Sequence, residues 1–380
     1  MEKNKKKKGL SLFSDPKKQK ISIPILSIVL SLIAGSLVIL LVGKNPLDAY
    51  KALLQGSGFI TKPKYAGGTN ILTDFTGFLD ALAPMIFAAL AVIVAMKAGL
   101  FNIGVSGQML LAGFIATVTI GYSDLNHYLA KPLVVVIGFI MGALAGGFIG
   151  FLKYRFNINE VVSSIMLNNI FSFIISYFIN TRYVDPVSRQ SNHISKEASL
   201  TLKSLSLKGI KVDLPLGIIL ALLTSFIIYR LLEKTTLGYE IKAVGFNKKA
   251  ANYAGIDVDK TILKTMFISG GLAGLAGVTY YLGYFSSIQP KVLSSLGFDA
   301  IATALLANNN PIGAIFSSIL VTILSKGSVY MSSNVGVVKE ISGVITSLIL
   351  LFSATSLYMK EKINKKTSEK EIEKRGGAND

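Results

Sequence analysis

The chain has 380 residues, of which 51% are apolar and 16% are charged, and its mean hydropathy is +0.55. Several apolar runs are long enough to cross about 30 Å of hydrocarbon as helices, which excludes an ordinary soluble α/β enzyme. The absence of cysteine excludes disulfides and thiolate metal sites, and the two histidines lie far apart in the sequence. We therefore expect an all-α, polytopic integral membrane protein that binds no cofactor or metal itself.

Lysines crowd both ends of the chain and contribute to a net charge of +18. Cytoplasmic flanks of membrane spans carry such an excess, so we interpret the charge as a topology signal with attraction to the lipid bilayer, not as nucleic-acid binding. Residues 1–20 and 359–380 are predicted to be basic cytoplasmic tails, and residues 21–358 the transmembrane domain. The first apolar run lacks a convincing cleavage site and is predicted to be a span, not a signal peptide.

The apolar runs predict ten crossings, an arrangement in which both tails, Lys97, Lys153 and Arg155 share the cytoplasmic side. A polar loop at 181–213 is then external, and a basic segment at 233–263 is cytoplasmic. Span eight is short and could be re-entrant, but ten crossings keep the charges consistent. In chain order the predicted spans are 21–42, 79–96, 108–120, 132–152, 161–179, 214–232, 265–284, 297–307, 311–330 and 337–357.

Two spans carry regularly spaced glycines. Span four has a glycine at every fourth position from Gly138 to Gly150, and span seven has Gly270 and Gly274. Small residues at this spacing let two helix backbones approach closely within a membrane. The pattern predicts close helix packing, with helix sliding during gating as the alternative.

Two Gly- and Asn-rich stretches, at 99–108 and 307–313, interrupt the apolar pattern at comparable places in the two halves of the chain. Interrupted helices at matching positions are typical of pseudo-symmetric halves whose unwound backbone lines a transport path. Ordinary turns between spans would give the same pattern. With two adjacent amides in the middle of span five, the candidate residues of the path are Asn102, Ser106, Gln108, Asn168, Asn169, Asn308 and Asn309.

Charged residues are scarce within the predicted spans. Asp80, Asp299 and Lys326 fall near span ends, where pairing or snorkelling to the interface is expected. The absence of a central intramembrane charge disfavours an ion-coupled carrier. The chain also lacks a G-x-x-x-x-G-K-[ST] phosphate loop, so a transport function would need a separate motor protein.

The polar segment at 230–264 is too long for a tight turn and too charged for the membrane interior, yet small and apolar residues recur in it with a helical rhythm. A short helix with a small-residue face suits a groove on another protein. We predict a cytoplasmic docking segment, with Gly238, Ala243, Gly245, Asn247, Ala250, Ala251, Ala254 and Gly255 as its candidate contact residues.

Five strings together resemble a known family over about residues 20–358. They are NPLDAYKALLQG, AMKAGLFNIGVSGQMLLAG, FNINEVVSSIMLNNI, TTLGYEIKAVGFNKKAANYAGIDV and GFDAIATALLANNNPIGA. They resemble the membrane permease subunit of bacterial ABC importers in the branched-chain amino acid/simple sugar permease superfamily, and within it the nucleoside-type permeases. The sequence departs from that pattern at Ala307-Asn308, where relatives usually have a glycine before the polar pair.

The resemblance implies a subunit of a nucleoside importer in the bacterial cytoplasmic membrane. Its implied partners are a second, non-identical permease, an external lipoprotein receptor and an ATPase subunit that uses ATP and Mg and docks at about 245–254. We also expect the chain itself to be a transport subunit and not an enzyme. Three alternatives stay open: a simple-sugar ABC permease, an ion-coupled carrier and a membrane scaffold.

Overall fold

The computed structural model describes residues 16–65, 69–207 and 210–355, and the described chain is predominantly helical. Helices dominate because a segment within hydrocarbon must satisfy its backbone hydrogen bonds internally. The predicted C-terminal tail and most of the predicted N-terminal tail lie outside the described residues. The helices are α1 (Pro16–Leu41), α2 (Pro46–Gly56), α3 (Ile71–Lys97), α4 (Val105–Ala116), α5 (His127–Phe156), α6 (Glu160–Phe178), α7 (Leu216–Lys234), α8 (Thr236–Phe246), α9 (Lys248–Tyr253), α10 (Val258–Thr279), α11 (Leu296–Leu306), α12 (Pro311–Val335) and α13 (Glu340–Ala354).

Three of these helices end in a π-helical turn, and one loop contains a small sheet. The turns Thr117–Gly121, Ile179–Tyr183 and Tyr280–Phe285 extend α4, α6 and α10. Strands β1 (Thr201–Leu207) and β2 (Ile210–Pro215) pair antiparallel, with Thr201 opposite Pro215. This hairpin lies at the end of the loop predicted to be external.

The number of apolar helices agrees with the sequence prediction. Within the described residues, seven helices are long and apolar enough to cross a membrane, starting with Pro24–Leu41 in α1. Shorter apolar helices at Val105–Gly121, Leu296–Leu306 and Glu340–Ala354 occupy the positions predicted for spans three, eight and ten. The prediction of an all-α, polytopic membrane protein is therefore confirmed, with the β-hairpin as a small addition.

Helices α3 and α10 form the centre of the bundle. In their most apolar stretches 89% and 78% of the residues are buried, compared with 28% in α7 and 22% in α1. An outer helix of a membrane protein keeps an apolar face for lipid or for another subunit, because hydrocarbon does not penalise exposed apolar side chains. The exposed rings of Phe173 and Tyr177 on α6 belong to such a face.

The predicted glycine packing joins α5 to α10. A Cβ atom placed at Gly142 would lie 2.3 Å from the carbonyl oxygen of Gly270 and 2.5 Å from the Cα atom of Gly274. A Cβ atom at Gly274 would lie 2.0 Å from the carbonyl oxygen of Gly138. The two backbones therefore touch over several turns, and the prediction of close helix packing is confirmed.

The two ends of the bundle differ, and we name them by their elements. The hairpin face contains β1, β2 and the π-helical ends of α4 and α10, joined by backbone hydrogen bonds from Ser195 to Gly121 (2.8 Å) and from Leu200 to Leu282 (2.9 Å). The α8 face contains α8, α9 and the end of α3. A substance that crosses the protein would enter at one of these faces and leave at the other.

Candidate translocation and coupling site

The first interrupted segment is a buried stretch of irregular backbone between α3 and α4, organised by Asn102. The amide nitrogen of Asn102 donates to Oε1 of Gln108 (3.0 Å) and to Oγ of Ser269 (2.8 Å). Its amide oxygen accepts from the backbone N–H of Gly104 (3.0 Å) and from Nε2 of Gln108 (3.1 Å). Ser269 in turn donates to the carbonyl oxygen of Ala91 (2.7 Å), so the segment is tied to α10 and α3.

Asn168 and Ser106 hold the same segment from two other sides. Oδ1 of Asn168 accepts from the backbone N–H of Gly107 (2.9 Å), and its amide nitrogen donates to the carbonyl oxygen of Ile103 (3.1 Å). Oγ of Ser106 donates to the carbonyl oxygen of Ser294, just before α11 (2.8 Å). These bonds satisfy backbone groups that a break in a helix leaves open, which would otherwise be costly to bury.

Four of the seven predicted path residues therefore meet in one buried network: Asn102, Ser106, Gln108 and Asn168. In this conformation their polar groups bind one another and the backbone. Gly107 is required there, because a Cβ atom at this position would lie 2.4 Å from Oδ1 of Asn168.

Asn169 is in a different environment, although it is the next residue along α6. Its side chain is exposed on the outer surface of the bundle and donates to the carbonyl oxygen of Ile165 one turn earlier (2.9 Å). Met166, Phe173 and Tyr177 lie on the same exposed face, at helical spacing. The amide is thus presented outward, in the middle of an otherwise apolar stripe.

The second interrupted segment is a tight turn between α11 and α12. Asn308 and Asn309 adopt positive φ angles of 52° and 53°, which asparagine tolerates better than most residues. Asn310 caps α12 by accepting from the backbone N–H groups of Ile312 and Gly313 (2.9 and 3.1 Å). The turn between α11 and α12 is therefore formed by asparagines, without the glycine that the family resemblance predicts before the polar pair.

The segment that meets the first break is the start of α11, not the turn after it. A Cβ atom at Gly297 would lie 2.3 Å from Oγ of Ser106. The starts of α4 and α11 therefore abut within the bundle.

Two charged residues lie farther inside the helices than the sequence indicates. Helix α3 begins at Ile71, so Asp80 is well within it, and the carboxylate accepts from Oγ1 of Thr201 (2.7 Å). Lys326 is likewise inside α12, with its Nζ atom 3.5 Å from the Tyr284 hydroxyl. The prediction that these two residues lie near span ends is wrong, because apolar run length underestimates helices whose ends are polar. Asp299, in the first turn of α11, is near a helix end as expected.

The predicted docking segment folds as α8 and α9, and two of its glycines pack against the protein's own helices. A Cβ atom at Gly238 would lie 2.1 Å from the carbonyl oxygen of Leu231, and one at Gly245 would lie 2.1 Å from the carbonyl oxygen of Lys97. Ala251 is buried and Ala243 packs against the core. Gly99 has a φ angle of +68° and faces Gly245, so the first break begins where α8 ends.

The exposed part of this segment is formed by other residues. Asn247, Ala250, Ala254 and Gly255 are exposed, as a docking role requires. Two aromatic side chains project much farther: Phe246 is 93% exposed and Tyr253 is 94% exposed. The sequence reasoning missed both rings, although an aromatic side chain in a polar, lysine-flanked segment is a recognisable signal.

The electrostatics of this tip are basic on one side and balanced on the other. Lys248 and Lys249 are exposed beside Phe246. After α9, Asp257 caps α10 by accepting from the backbone N–H of Lys260 (3.0 Å), and hydrogen bonding from Lys260 lowers the pKa of the Asp257 carboxyl group. Within the described residues there is no group of three or more histidine and acidic side chains that could hold a metal ion.

Comparison with known proteins identifies the class. Residues 75–354 match the model of a family described as branched-chain amino acid transport system / permease component. The chain belongs to this family, and it is thus a multi-pass membrane permease subunit of the ABC transporter type, a transport component and not an enzyme.

Individual relatives match along most of their length. The nucleoside ABC transporter permease protein NupB of Lactococcus lactis is 36% identical over 89% of this chain and 92% of NupB. The guanosine ABC transporter permease protein NupP of Bacillus subtilis is 37% identical over 88% of this chain and 93% of NupP. The glucose ABC transporter permease protein TsgB13 of Haloferax volcanii is 27% identical over 89% of this chain and 88% of TsgB13.

Proposed function

We propose that this chain is one permease subunit of an ATP-driven importer that carries nucleosides across a bacterial cytoplasmic membrane. The observation that carries the substrate class is its likeness to NupB and NupP over nearly the whole chain, at higher identity than to the glucose permease. The same likeness supports assembly with other subunits, since each of those proteins is by name a permease of an ABC transporter.

The α8–α9 tip supports docking to an ATPase subunit, which would bind the ATP and Mg. Phe246 and Tyr253 have almost no contact with their own protein, and exposed rings on a basic polar tip fit insertion into a groove. Behind them, Gly245 rests on Lys97 at the end of α3. Movement of the tip would therefore press on the start of the buried network.

The exposed face of α6 supports a second permease, which we take to be non-identical. The inward amides of Asn102 and Gln108 bind each other and that of Asn168 binds the backbone, whereas Asn169 points out of the bundle. An amide in the middle of a span is costly against lipid but useful against a polar path. A path between two permeases, lined by this face, gives Asn169 that environment.

The distribution of basic residues supports the orientation. The α8 face, with Lys97, Lys248 and Lys249, is cytoplasmic in this proposal, together with both termini. The hairpin face is then external, and an external receptor that delivers substrate would dock there.

The experiment is reconstitution of this chain with its partner permease, ATPase and receptor in liposomes. We expect guanosine or another nucleoside to stimulate ATP hydrolysis and to accumulate inside when ATP is supplied. Accumulation that is abolished by an uncoupler at constant ATP would instead support an ion-coupled carrier. Binding of partners without any uptake would leave only a scaffold.

The second candidate is a simple-sugar importer, and the likeness to TsgB13 is the observation that favours it. Uptake of glucose and uptake of nucleosides can be compared in the same reconstituted assay. Uptake of glucose without uptake of any nucleoside would replace the proposed substrate class and keep the transporter class.

A further inference from the structure

A half-open pocket with a cavity volume of about 90 Å³ lies on the hairpin face, beside the π-helical end of α10. Small-molecule sites are concave and are lined mainly by aromatic and apolar side chains with a few polar groups. None of the residues predicted to line the path contributes a side chain to it. The lining includes Gln190, Tyr280, Phe285, Ser287, Gln289 and Ser294.

Two aromatic rings form one wall. The ring centroids of Tyr280 and Phe285 are 4.9 Å apart, with an angle of 58° between the ring planes. The π-helical turn at Tyr280–Phe285 places the two rings, at its first and last residues, beside each other.

Two side-chain amides complement the rings. Oε1 of Gln190 accepts from Oγ of Ser287 (2.7 Å), which fixes the carboxamide in the pocket lining. The side chain of Gln289 is exposed, and no hydrogen bond to it is found within the described part of the chain. Glutamine amides offer both donors and acceptors and therefore match the edge of a nucleobase.

The floor of the pocket is connected to the buried network. Ser294 contributes to the lining, and its carbonyl oxygen accepts from Oγ of Ser106. The neighbouring residue Gly107 is held by Asn168, and the same interrupted segment begins at Gly99 against Gly245 of α8. Contacts between neighbouring residues thus run without a gap from the pocket to the α8–α9 tip, and a ligand in the pocket would touch the first of these residues.

We infer that this pocket binds the heteroaromatic base of the nucleoside as it enters from the hairpin face. The inference rests on the proposed function and adds the subsite: Tyr280 and Phe285 stack on the base, and Gln190 and Gln289 bond to its edge. An isolated sugar lacks the flat ring for which this wall is shaped.

The first test uses the absence of cysteine in the chain. The Gln289→Cys variant is assembled with the other transporter subunits but without receptor. The rate at which a thiol reagent labels this chain is then measured. Guanosine should slow labelling by roughly ten-fold at saturation, whereas ribose at equal concentration should not. Val187→Cys, 92% exposed and outside the pocket lining, is the control and should label at one rate throughout.

Equal protection by guanosine and ribose, or by neither, would overturn the inference. Protection of Gln289→Cys by the receptor alone, with no nucleoside present, would assign this surface to receptor docking and would overturn it as well.

The second test measures uptake with receptor present. Phe285→Ala should lower nucleoside uptake per assembled transporter by roughly ten-fold at low substrate, because a stacking surface is lost. Phe316→Ala, which removes an exposed ring on α12, is the matched control. Normal nucleoside uptake by Phe285→Ala would refute the proposed base-binding subsite and leave the proposed function intact. Absence of nucleoside uptake by the unmodified transporter would refute the proposed function.

Discussion

At the scale of single residues, the most instructive pair is Asn168 and Asn169. Consecutive residues on an α-helix point about 100° apart, so neighbours can face different surroundings. Asn168 is buried and bonded to the broken segment, whereas Asn169 faces outward and bonds only to its own helix. The same side chain therefore fixes the broken segment at one position and is exposed on the outer surface of the bundle at the next.

We predict that Asn168→Ala destabilises the transporter. The substitution leaves the backbone N–H of Gly107 buried without its acceptor, which costs about 1–3 kcal/mol. Thermal unfolding of the purified protein should occur at lower temperature than for the unmodified chain. An unchanged unfolding temperature would show that the Gly107 contact contributes little.

For Asn169→Ala we expect the opposite result. The side chain is exposed, so thermal stability should change by less than about 0.5 kcal/mol. The maximal uptake rate per assembled complex should fall more than the apparent affinity, which we expect an external receptor to set. Loss of stability with normal uptake per complex would instead assign Asn169 to helix contacts.

At the scale of elements, glycines determine how closely helices approach. In the α5–α10 contact and in the seat of α8 on α3, a single added methyl group would meet backbone atoms, which cannot rotate away. The two places differ in consequence: the first holds two helices of the bundle together, and the second connects the α8–α9 tip to the interrupted segment that contains Asn102.

The α5–α10 contact is tested with Gly142→Ala. Its methyl group would overlap the Gly270 carbonyl oxygen, and we expect destabilisation of about 1–3 kcal/mol, seen as a lower unfolding temperature. Gly343→Ala in α13 is the control, because no atom lies within 4 Å of its added Cβ and alanine favours a helix. Equal effects of both substitutions would argue against a steric cause.

The docking tip is tested with Phe246→Ala. Because this ring is 93% exposed, the folded permease should keep its thermal stability, whereas uptake and substrate-stimulated ATP hydrolysis should fall at least several-fold through lost contact with the ATPase. Gly245→Trp should also uncouple transport, but by displacing α8 from Lys97. Wild-type transport by Phe246→Ala would remove this ring from the interface.

At the scale of the whole molecule, the distribution of charge predicts the orientation of the bundle in the membrane. Lys97, Lys153 and the basic residues around α8 and α9 lie toward one face, and the β-hairpin lies at the other. Spans retain positive residues preferentially on the cytoplasmic side, so the α8 face should meet the cytoplasm.

This orientation predicts the labelling of two cysteine variants in whole cells. Val187→Cys, in the exposed loop before the hairpin, should react with an impermeant thiol reagent, whereas Lys248→Cys should react only after the membrane is opened. The native chain has no cysteine, so the background from this protein is nil. Reaction at Lys248→Cys alone in intact cells would invert the topology.

The sequence by itself determined the helices and one of their contacts. A segment in hydrocarbon must close its own backbone hydrogen bonds, so apolar run length locates helices without reference to the rest of the chain. The glycines of α5 and α10 are visible for the same reason, since their spacing reflects one helix at a time. The aromatic residues Phe246 and Tyr253 of the α8–α9 tip are visible in the sequence in the same way, but the prediction of contact residues selected small residues instead.

Only the tertiary structure decided which polar groups have hydrogen-bond partners within the protein. The contacts of Asn168 with Gly107 and of Ser106 with Ser294 join residues far apart in the chain, and no local pattern selects such partners. For the same reason Gly245 is seated on Lys97, and Tyr280 shares a pocket with Gln190. Helix formation depends on neighbours in sequence, whereas burial, pairing and cavities depend on packing between distant segments.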